Sequence, residues 1–226
     1  MGKKVLLTGD SRGLGLAIKD KLKKNGFEVI GLSRSSKDIQ FDLKNVEKIK
    51  DLYFNKIKAL GPFYGFVNNA AFAYDDLATN MNLNKLKHMF DINVFSSMML
   101  TKYLIRDMLL SRIGGSIVHI SSISVYTGYK GLSMYAATKG AVESFSKNIS
   151  REWGSLGIRS NIICPGFMDT EMSGNLSQEQ RSKIFKRNSF LKEIEVEDVA
   201  DAVTYLISEK SKGITGQVIN VDNGTL

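Results

Sequence analysis

The sequence predicts an α/β fold built on a doubly wound parallel sheet. Short apolar segments that suit strands alternate with longer helix-like segments along the chain. A glycine-rich turn at Gly9 follows the first strand-like segment, and a proline-glycine pair at Pro165 follows a later one. Ligands of open α/β sheets bind beyond the carboxyl ends of the strands, so both turns indicate where a site would lie.

Length and composition limit the architecture and the function classes. The chain has 226 residues, 43% of them hydrophobic, which is enough for a sizeable core and fits one domain over residues 1–226. The net charge of +8 comes from scattered lysines, and no RNA- or DNA-binding motif is visible, so we expect no nucleic-acid partner. No apolar run is long enough for a signal peptide or a membrane span, which predicts a cytoplasmic protein with no membrane partner.

Cysteine usage narrows the chemistry further. Cys164 is the single cysteine, which excludes an internal disulfide framework and any multi-cysteine metal site. It lies in an apolar run before Pro165, and we expect it to be an inert strand residue. We predict no metal site.

The segment 4–24 has the parts of a phosphate cradle. A short apolar strand, Lys4–Thr8, runs into glycines with the spacing G-x-x-x-G-x-G and then into the helix-like Leu16–Lys24. Glycines let the backbone approach an anion, and the helix end supplies free N–H groups and a positive dipole. The alternative is an ordinary tight turn between a strand and a helix.

The end of the second predicted strand, Phe27–Ser33, favours NADP(H) over NAD(H). In dinucleotide folds the residue about 20 positions beyond the glycine loop meets the adenosine ribose, and an arginine there accommodates a 2′-phosphate. Arg34 occupies that place, with Arg12 and the Ser35 hydroxyl as further candidate ligands. The alternative is two exposed arginines on loops.

Residues 36–38 separate this strand from the next, Ile39–Leu43, and are too few for a crossover helix. We therefore expect a short loop in place of the helix between strands two and three, with an open adenine side. Asp42, at the end of the third strand, is placed to accept from an adenine amino group.

Two asparagines further along the chain have candidate roles. A predicted helix, Val46–Leu60, and a strand, Phe63–Val67, lead to Asn69 in the run Asn-Asn-Ala-Ala, whose small residues permit close approach of a ligand. Asn93 lies in a long helical pattern, Leu83–Arg112. A buried asparagine there is costly unless its amide is used, so it either repairs a kink or holds a water for proton relay.

Tyr135 and Lys139 are candidate acid-base residues. A helix from Ser133 to about Trp153 places them four residues apart on one face. A fixed ammonium favours phenolate and would bring the phenol pKa towards the working range, and Ser122 could add a hydroxyl aimed at the same substrate oxygen. The alternative is a half-buried core tyrosine beside a solvated lysine.

The last third of the chain completes the alternation. We predict a strand at Arg159–Ile163, a mobile lid at Glu171–Arg187, a helix at Glu195–Leu206 and a final strand at Gly216–Val221.

Five motifs in register resemble the short-chain dehydrogenase/reductase family. These are the glycine loop after Thr8, the run Asn68-Asn-Ala-Ala71, Asn93, Ser122 ahead of Tyr135-x-x-x-Lys139, and Pro165-Gly166 through Thr170. Nearly the whole chain is similar, most of all to the 3-oxoacyl-(acyl-carrier-protein) reductases. The chain departs from the family at Asp10 (usually small), at Ala71 (often glycine), in the missing crossover helix, and at Leu156 and Ile113, where carrier-using members often present basic residues.

The resemblance implies a Rossmann-like NADPH-dependent oxidoreductase. Tyr135 would give its proton to a ketone, Ser122 would bind the carbonyl oxygen, Lys139 would lower the pKa of Tyr135 and grip the nicotinamide ribose, and Asn93 would seat a relay water. The implied substrate is a small-molecule or carrier-bound carbonyl compound, foremost a 3-oxoacyl thioester. The implied cofactor-binding residues are Gly9, Ser11, Arg12, Gly13, Leu14, Gly15, Arg34, Ser35, Asp42, Leu43, Asn69, Ala70, Tyr135, Lys139, Pro165, Gly166, Met168 and Thr170.

Two other functions stay open. One is a dehydrogenase or reductase of a sugar, polyol or small ketone, and the other is a non-catalytic NADP-binding scaffold. The family also implies a homotetramer that pairs the helices carrying Asn93 and Tyr135.

Overall fold

The computed structural model describes residues 2–168 and 177–226. Seven strands within these residues form one parallel sheet in the order β3-β2-β1-β4-β5-β6-β7. The predicted doubly wound parallel sheet is confirmed. The strands are β1 Lys4–Thr8, β2 Glu28–Ser33, β3 Ile39–Gln40, β4 Gly65–Asn68, β5 Gly115–Ile120, β6 Ile158–Pro165 and β7 Val218–Val221.

Helices cover both faces of this sheet. The α-helices are α1 Gly13–Lys24, α2 Ile49–Leu52, α3 Leu83–Phe90, α4 Ser96–Ser111, α5 Ser124–Thr127, α6 Ser133–Trp153, α7 Gln178–Phe185 and α8 Val196–Ile207. Both predicted ends of α6 are observed.

Each face of the sheet has its own core, since successive side chains of a strand point to opposite faces. Leu6 of β1 packs with Leu104 of α4 and Ile149 of α6. Val5 and Leu7, on either side of it, pack with α1 and α8 on the other face. Burial on both faces explains why the strand segments are continuous apolar runs.

The connection from β2 to β3 contains no helix, as the sequence predicts. The third strand was predicted at Ile39–Leu43 but ends at Gln40. The chain turns instead at Asp42, whose Oδ1 accepts from the Lys44 amide at 3.1 Å, and Leu43 packs into the core. The local side-chain hydrogen bond of Asp42 offers the backbone an alternative to the sheet ladder.

The single helix predicted at Leu83–Arg112 is also wrong. A π-helical segment, Asp91–Phe95, separates α3 from α4, and Arg112 ends α4 in the left-handed conformation (φ 53°). The predicted helix Val46–Leu60 is likewise composite: the 3₁₀ turn Val46–Lys48 leads into α2, which is followed by the π-helical Tyr53–Ile57 and the 3₁₀ turn Lys58–Leu60.

Candidate active site

The functional loops lie at one edge of the sheet because the strands are parallel. The segments that begin at Gly9, Asn69, Ser121 and Gly166 follow β1, β4, β5 and β6 at their carboxyl ends. The sites predicted separately along the chain therefore share one edge.

The glycine loop has the close backbone packing that a phosphate cradle needs. A Cβ atom on Gly15 would lie 1.8 Å from the carbonyl oxygen of Gly9, and Gly9 itself has φ +71°. The first turn of α1 has no acidic residue, and Arg12 at its N-cap makes no side-chain cap. The amides at this helix end thus suit the pyrophosphate of a dinucleotide.

A clamp between β1 and β4 holds this loop. The Thr8 hydroxyl accepts from the Asn69 amide at 3.0 Å and from the Ala70 amide at 3.1 Å. The side-chain nitrogen of Asn69 donates to the carbonyl oxygens of Thr8 and Gly9, both at 3.2 Å. Asn69 and Ala70 were predicted as ligand-binding residues, whereas the clamping role of Thr8 was missed.

The two loops that carry the proposed 2′-phosphate residues meet at their serines. The Ser35 hydroxyl donates to the Ser11 hydroxyl at 3.0 Å, and each serine is next in sequence to an arginine, Arg34 or Arg12. Both arginines are exposed. Arginine presents a fork of N–H donors that matches phosphate geometry, so this surface fits a 2′-phosphate.

Tyr135 and Lys139 share one face of α6, as predicted. The Lys139 Nζ lies 5.5 Å from the centre of the Tyr135 ring and donates to the Ile120 carbonyl oxygen at 2.8 Å. Ser122 follows two residues after Ile120 and is partly buried. The helix and the end of β5 are therefore joined through the lysine.

The pKa shifts differ from the sequence-based expectation. Burial raises the pKa of Tyr135, and the nearby Asp75 carboxylate adds to this effect. Burial also lowers the pKa of Lys139 to about 8, against an opposing effect of Cys164. The prediction that Lys139 lowers the phenol pKa is therefore not met, because burial of the phenol raises that pKa instead.

Asn93 fastens the loop after β4 to α6. Its Oδ1 accepts from the Phe72 amide at 2.8 Å, and its Nδ2 donates to the Phe72 carbonyl at 2.9 Å and to the Thr138 hydroxyl at 3.0 Å. Thr138 in turn donates to the Tyr135 carbonyl at 2.7 Å. Both amide hydrogens of Asn93 are used by protein partners, so a water bound here would use main-chain groups or the second lone pair of Oδ1.

Glu143 is a site residue that the sequence reading missed. It is 9% exposed and accepts from the hydroxyls of Ser121 and Tyr126. These bonds connect the segment around Ser122 to α6. The signal was available, since Glu143 lies four residues after Lys139 on the same face of the helix.

The end of β6 is closely packed. A Cβ atom on Gly166 would lie 2.3 Å from the Ile194 Cδ1 atom, and the Gly166 amide donates to the Val221 carbonyl at 2.9 Å. Met168 is partly buried, whereas Thr170 and residues 171–176 of the predicted lid lie outside the described residues; most of the remaining lid segment forms α7. Burial raises the pKa of the Cys164 thiol to about 12, which keeps it unreactive.

The described residues, 2–168 and 177–226, also bear on a metal site and on a membrane span. No group of three or more His, Cys, Asp or Glu side chains there could hold a metal ion. None of the helices in those residues is long and apolar enough to cross a membrane.

Comparison with known proteins agrees with this geometry. Residues 9–225 match the family model described as "Enoyl-(Acyl carrier protein) reductase". The 3-oxoacyl-[acyl-carrier-protein] reductase of Buchnera aphidicola is 33% identical, over 96% of this chain and 95% of its own length.

Two solved structures are also similar. The structure "ElxO with NADP Bound" has a TM-score of 0.89 and 28% identity, over 100% of this chain and 99% of its own. A putative 2-deoxy-d-gluconate 3-dehydrogenase from Agrobacterium tumefaciens with bound NADP has a TM-score of 0.92 and 26% identity, over 99% and 96%.

Proposed function

We propose, since the chain belongs to the short-chain dehydrogenase/reductase family, that it is an NADPH-dependent enzyme that reduces a ketone to a secondary alcohol. The observation that supports this proposal best is the arrangement of Tyr135 and Lys139 on one helix face, with the lysine bonded to the end of β5. That arrangement lies at the same sheet edge as the glycine cradle.

Each residue has a role that follows from its surroundings. A bound nicotinamide would supply the hydride. Tyr135 holds a proton at neutral pH because its pKa is raised, and it gives that proton to the substrate oxygen. Ser122 donates a hydrogen bond to the same oxygen. Lys139 has three N–H donors, and the one bound to the Ile120 carbonyl oxygen leaves two that would bind the nicotinamide ribose and the phenol oxygen.

A 3-oxoacyl thioester is the substrate that we place first. It is the substrate class named for the Buchnera relative, which is similar along nearly the whole of this chain. The carrier is a separate matter, because Leu156 and Ile113 are exposed apolar side chains at places where carrier-using family members often present basic residues. We therefore expect a free or coenzyme A thioester to serve as well as a carrier-bound one.

A polar ketone, such as a sugar acid, is the second candidate. The short β2–β3 connection and the similarity to the putative 2-deoxy-d-gluconate 3-dehydrogenase favour it. Steady-state assays that follow NADPH absorbance with acetoacetyl thioesters and with a panel of polar ketones separate the two. Turnover of the polar ketones but not of the thioesters would make a polar ketone the first candidate. Tight NADPH binding without turnover of any carbonyl compound would contradict the proposal that the chain is an enzyme.

Arg34→Ala tests the cofactor assignment. We expect the KM for NADPH to rise about tenfold, because one charge-assisted hydrogen bond to the 2′-phosphate is lost. The KM for NADH should stay unchanged. Arg112→Ala is the control, since this arginine ends α4, outside the proposed 2′-phosphate surface. An unchanged ratio of the two KM values in Arg34→Ala would show that the assignment is wrong.

We also propose that the chain assembles as a homotetramer. Leu83, Phe95 and Leu110 are large apolar side chains that are exposed on α3, the π-helical segment and α4. Burial of such side chains against a second copy would stabilise an assembly. Sedimentation at micromolar concentration should give four times the chain mass of 25.1 kDa, and a monomer would contradict the proposal.

A further inference from the structure

Asp10 is a buried carboxylate in the glycine loop, at a position that usually holds a small residue in this family. It is 2% exposed and accepts three hydrogen bonds. The donors are the Lys19 Nζ of α1 at 2.7 Å, the Ser33 hydroxyl at the end of β2 at 2.9 Å and the Ser36 hydroxyl at 3.1 Å. One side chain thus connects the glycine loop, α1 and the β2–β3 loop.

Lys19 extends the network to the far end of that loop. Its Nζ also donates to the Asp38 carboxylate at 3.1 Å, and the same carboxylate oxygen accepts from the Gly31 amide at 2.8 Å. The Ser36 hydroxyl makes two bonds in the network, because its Oγ donates to Asp10 and also accepts from the Asp38 amide at 3.2 Å. The loop residues on either side of Arg34 and Ser35 are therefore held at Ser33, Ser36 and Asp38.

Gly31 makes room for the carboxylate. A Cβ atom at this position of β2 would lie 1.9 Å from the Asp10 Oδ2 atom. Glycine weakens a strand interior, and its presence here follows from the close approach of Asp10. The network thus depends on two departures from ordinary residue choice, a buried acid in a glycine loop and a glycine within a strand.

A single ammonium, that of Lys19, pairs with both carboxylates of the network. Burial alone would raise the pKa of Asp38, but the Gly31 amide and Lys19 hold it below its usual value. The Lys19 side chain is 13% exposed, and burial lowers its pKa less than the two carboxylates raise it. Removal of one partner from such a group leaves an uncompensated buried charge, so the network is sensitive to single changes.

The network occupies the place where a crossover helix is missing. β3 has two residues, and the β2–β3 connection contains no helix of its own to fix its conformation. The ordering of a free loop on binding costs affinity, whereas a loop that is already fixed does not incur that cost. A loop held by Asp10 and Lys19 would present Arg34 and Ser35 in one arrangement before any ligand arrives.

We propose that Asp10 and Lys19 are positioning residues for cofactor selection, which fix the β2–β3 loop so that Arg34 and Ser35 can bind a 2′-phosphate. Neither residue contacts the phosphate. Asp10 is 2% exposed and already bonded to three protein donors, so its carboxylate is not presented to a ribose 2′-hydroxyl. This inference rests on the NADPH preference proposed above.

Binding of two cofactor fragments to the full-length chain tests the inference without turnover. The probes are 2′,5′-ADP and 5′-AMP, which differ only in the 2′-phosphate, and the measurement is calorimetric. In Asp10→Asn and in Lys19→Gln we expect the dissociation constant of 2′,5′-ADP to rise about tenfold and that of 5′-AMP to stay within twofold. Amide exchange of residues 31–38 in the ligand-free variants should be faster than in the wild type.

Lys21→Gln is the matched control. Lys21 lies on the same helix and forms an ion pair with Asp201 of α8, away from the loop. We expect wild-type affinity for both probes. Thermal unfolding checks that each variant folds, and if Asp10→Asn does not fold, Ser36→Ala removes one donor of the network with an expected two- to threefold selective loss.

The outcomes separate this inference from the proposed function. Equal weakening of both probes, or a wild-type ratio of the two constants in the folded variants, would overturn the positioning roles. If Arg34→Ala removes the preference for 2′,5′-ADP while the network variants retain it, the positioning proposal alone fails. A wild-type chain that binds both probes equally overturns the NADPH assignment and the positioning proposal together.

Discussion

The half of the sheet edge that we propose to be catalytic and the half that we propose to bind adenosine hold their residues by different means. In the catalytic half, one long helix, α6, carries Tyr135, Lys139 and Glu143, and buried hydrogen bonds join it to the end of β5. In the adenosine half, the β2–β3 loop carries Arg34 and is held by the ion pairs of Lys19.

This difference separates the expected effects of mutation. A regular helix fixes the spacing of its side chains through its own backbone bonds. A loop has no such internal ladder, so its conformation depends on particular side chains. Changes in the catalytic half should therefore alter kcat, and changes in the adenosine half should alter the KM for NADPH.

The largest effect is expected for Tyr135→Phe. The loss of the proton donor should lower kcat about 10²–10⁴-fold, because general acid catalysis contributes that much, while the Kd for NADPH stays near the wild-type value. Steady-state kinetics and fluorescence titration measure the two quantities. Tyr205→Phe, at a half-exposed position on α8, is the control. A kcat above a tenth of the wild-type value would show that Tyr135 is not the donor.

Gly31→Ala tests the close packing of β2 against the Asp10 carboxylate in the adenosine half. The new Cβ atom would collide with Asp10, so we expect a loss of about 1–3 kcal/mol in the free energy of unfolding and a raised KM for NADPH with kcat near normal. Gly154→Ala is the control, since a Cβ atom there meets nothing within 4 Å. Urea unfolding measures the loss, and unchanged stability would contradict the contact between Gly31 and Asp10.

Glu143→Gln is the matching change in the catalytic half. Glutamine offers one acceptor oxygen where the carboxylate offers two, so either Ser121 or Tyr126 loses its partner. We expect the free energy of unfolding to fall by about 1–3 kcal/mol and kcat to fall severalfold, with the KM for NADPH unchanged. Glu152→Gln, exposed near the end of the same helix, is the control. A change in the KM for NADPH alone would contradict the division into two halves.

The smallest effect is a pH dependence of stability from Lys139. Burial lowers its pKa to about 8, whereas an unfolded lysine titrates near 10.4, so the unfolded state binds more protons between these values. The buried charge is unfavourable below pH 8, and this cost is relieved as pH rises towards 10. The unfolding free energy of the wild type minus that of Lys139→Met should therefore increase from pH 8 to pH 9.5. A flat difference would show that Lys139 is not desolvated.

Prediction from the sequence succeeded where one element carries the information. The shared face of Tyr135 and Lys139 was predicted because four residues make about one helical turn, and the missing crossover helix was predicted because three residues cannot form one. Glu143 lies one further turn along α6 from Lys139, so the same spacing argument would have placed it on the face of Tyr135 and Lys139. The third strand was predicted too long because a local hydrogen bond of Asp42 ends the pairing.

Contacts between distant segments escaped prediction. The clamp of Thr8 on Asn69 spans 61 residues, and the bonds of Asp10 to Ser33 and Ser36 span 23 and 26. No local pattern indicates which polar side chain meets which, since that depends on the packing of β1, β2 and β4. The pKa of Tyr135 also depends on burial, which the spacing of residues does not fix.

The sequence by itself determined the order of strands and helices along the chain and the placement of Tyr135 and Lys139 on one helix face, because periodicity and glycine placement act over a few residues. Only the tertiary structure decided the direction of the pKa shifts, the use of the Asn93 amide and the pairing of Asp10 with Lys19. Those properties depend on desolvation and on through-space contact between segments that lie far apart along the chain.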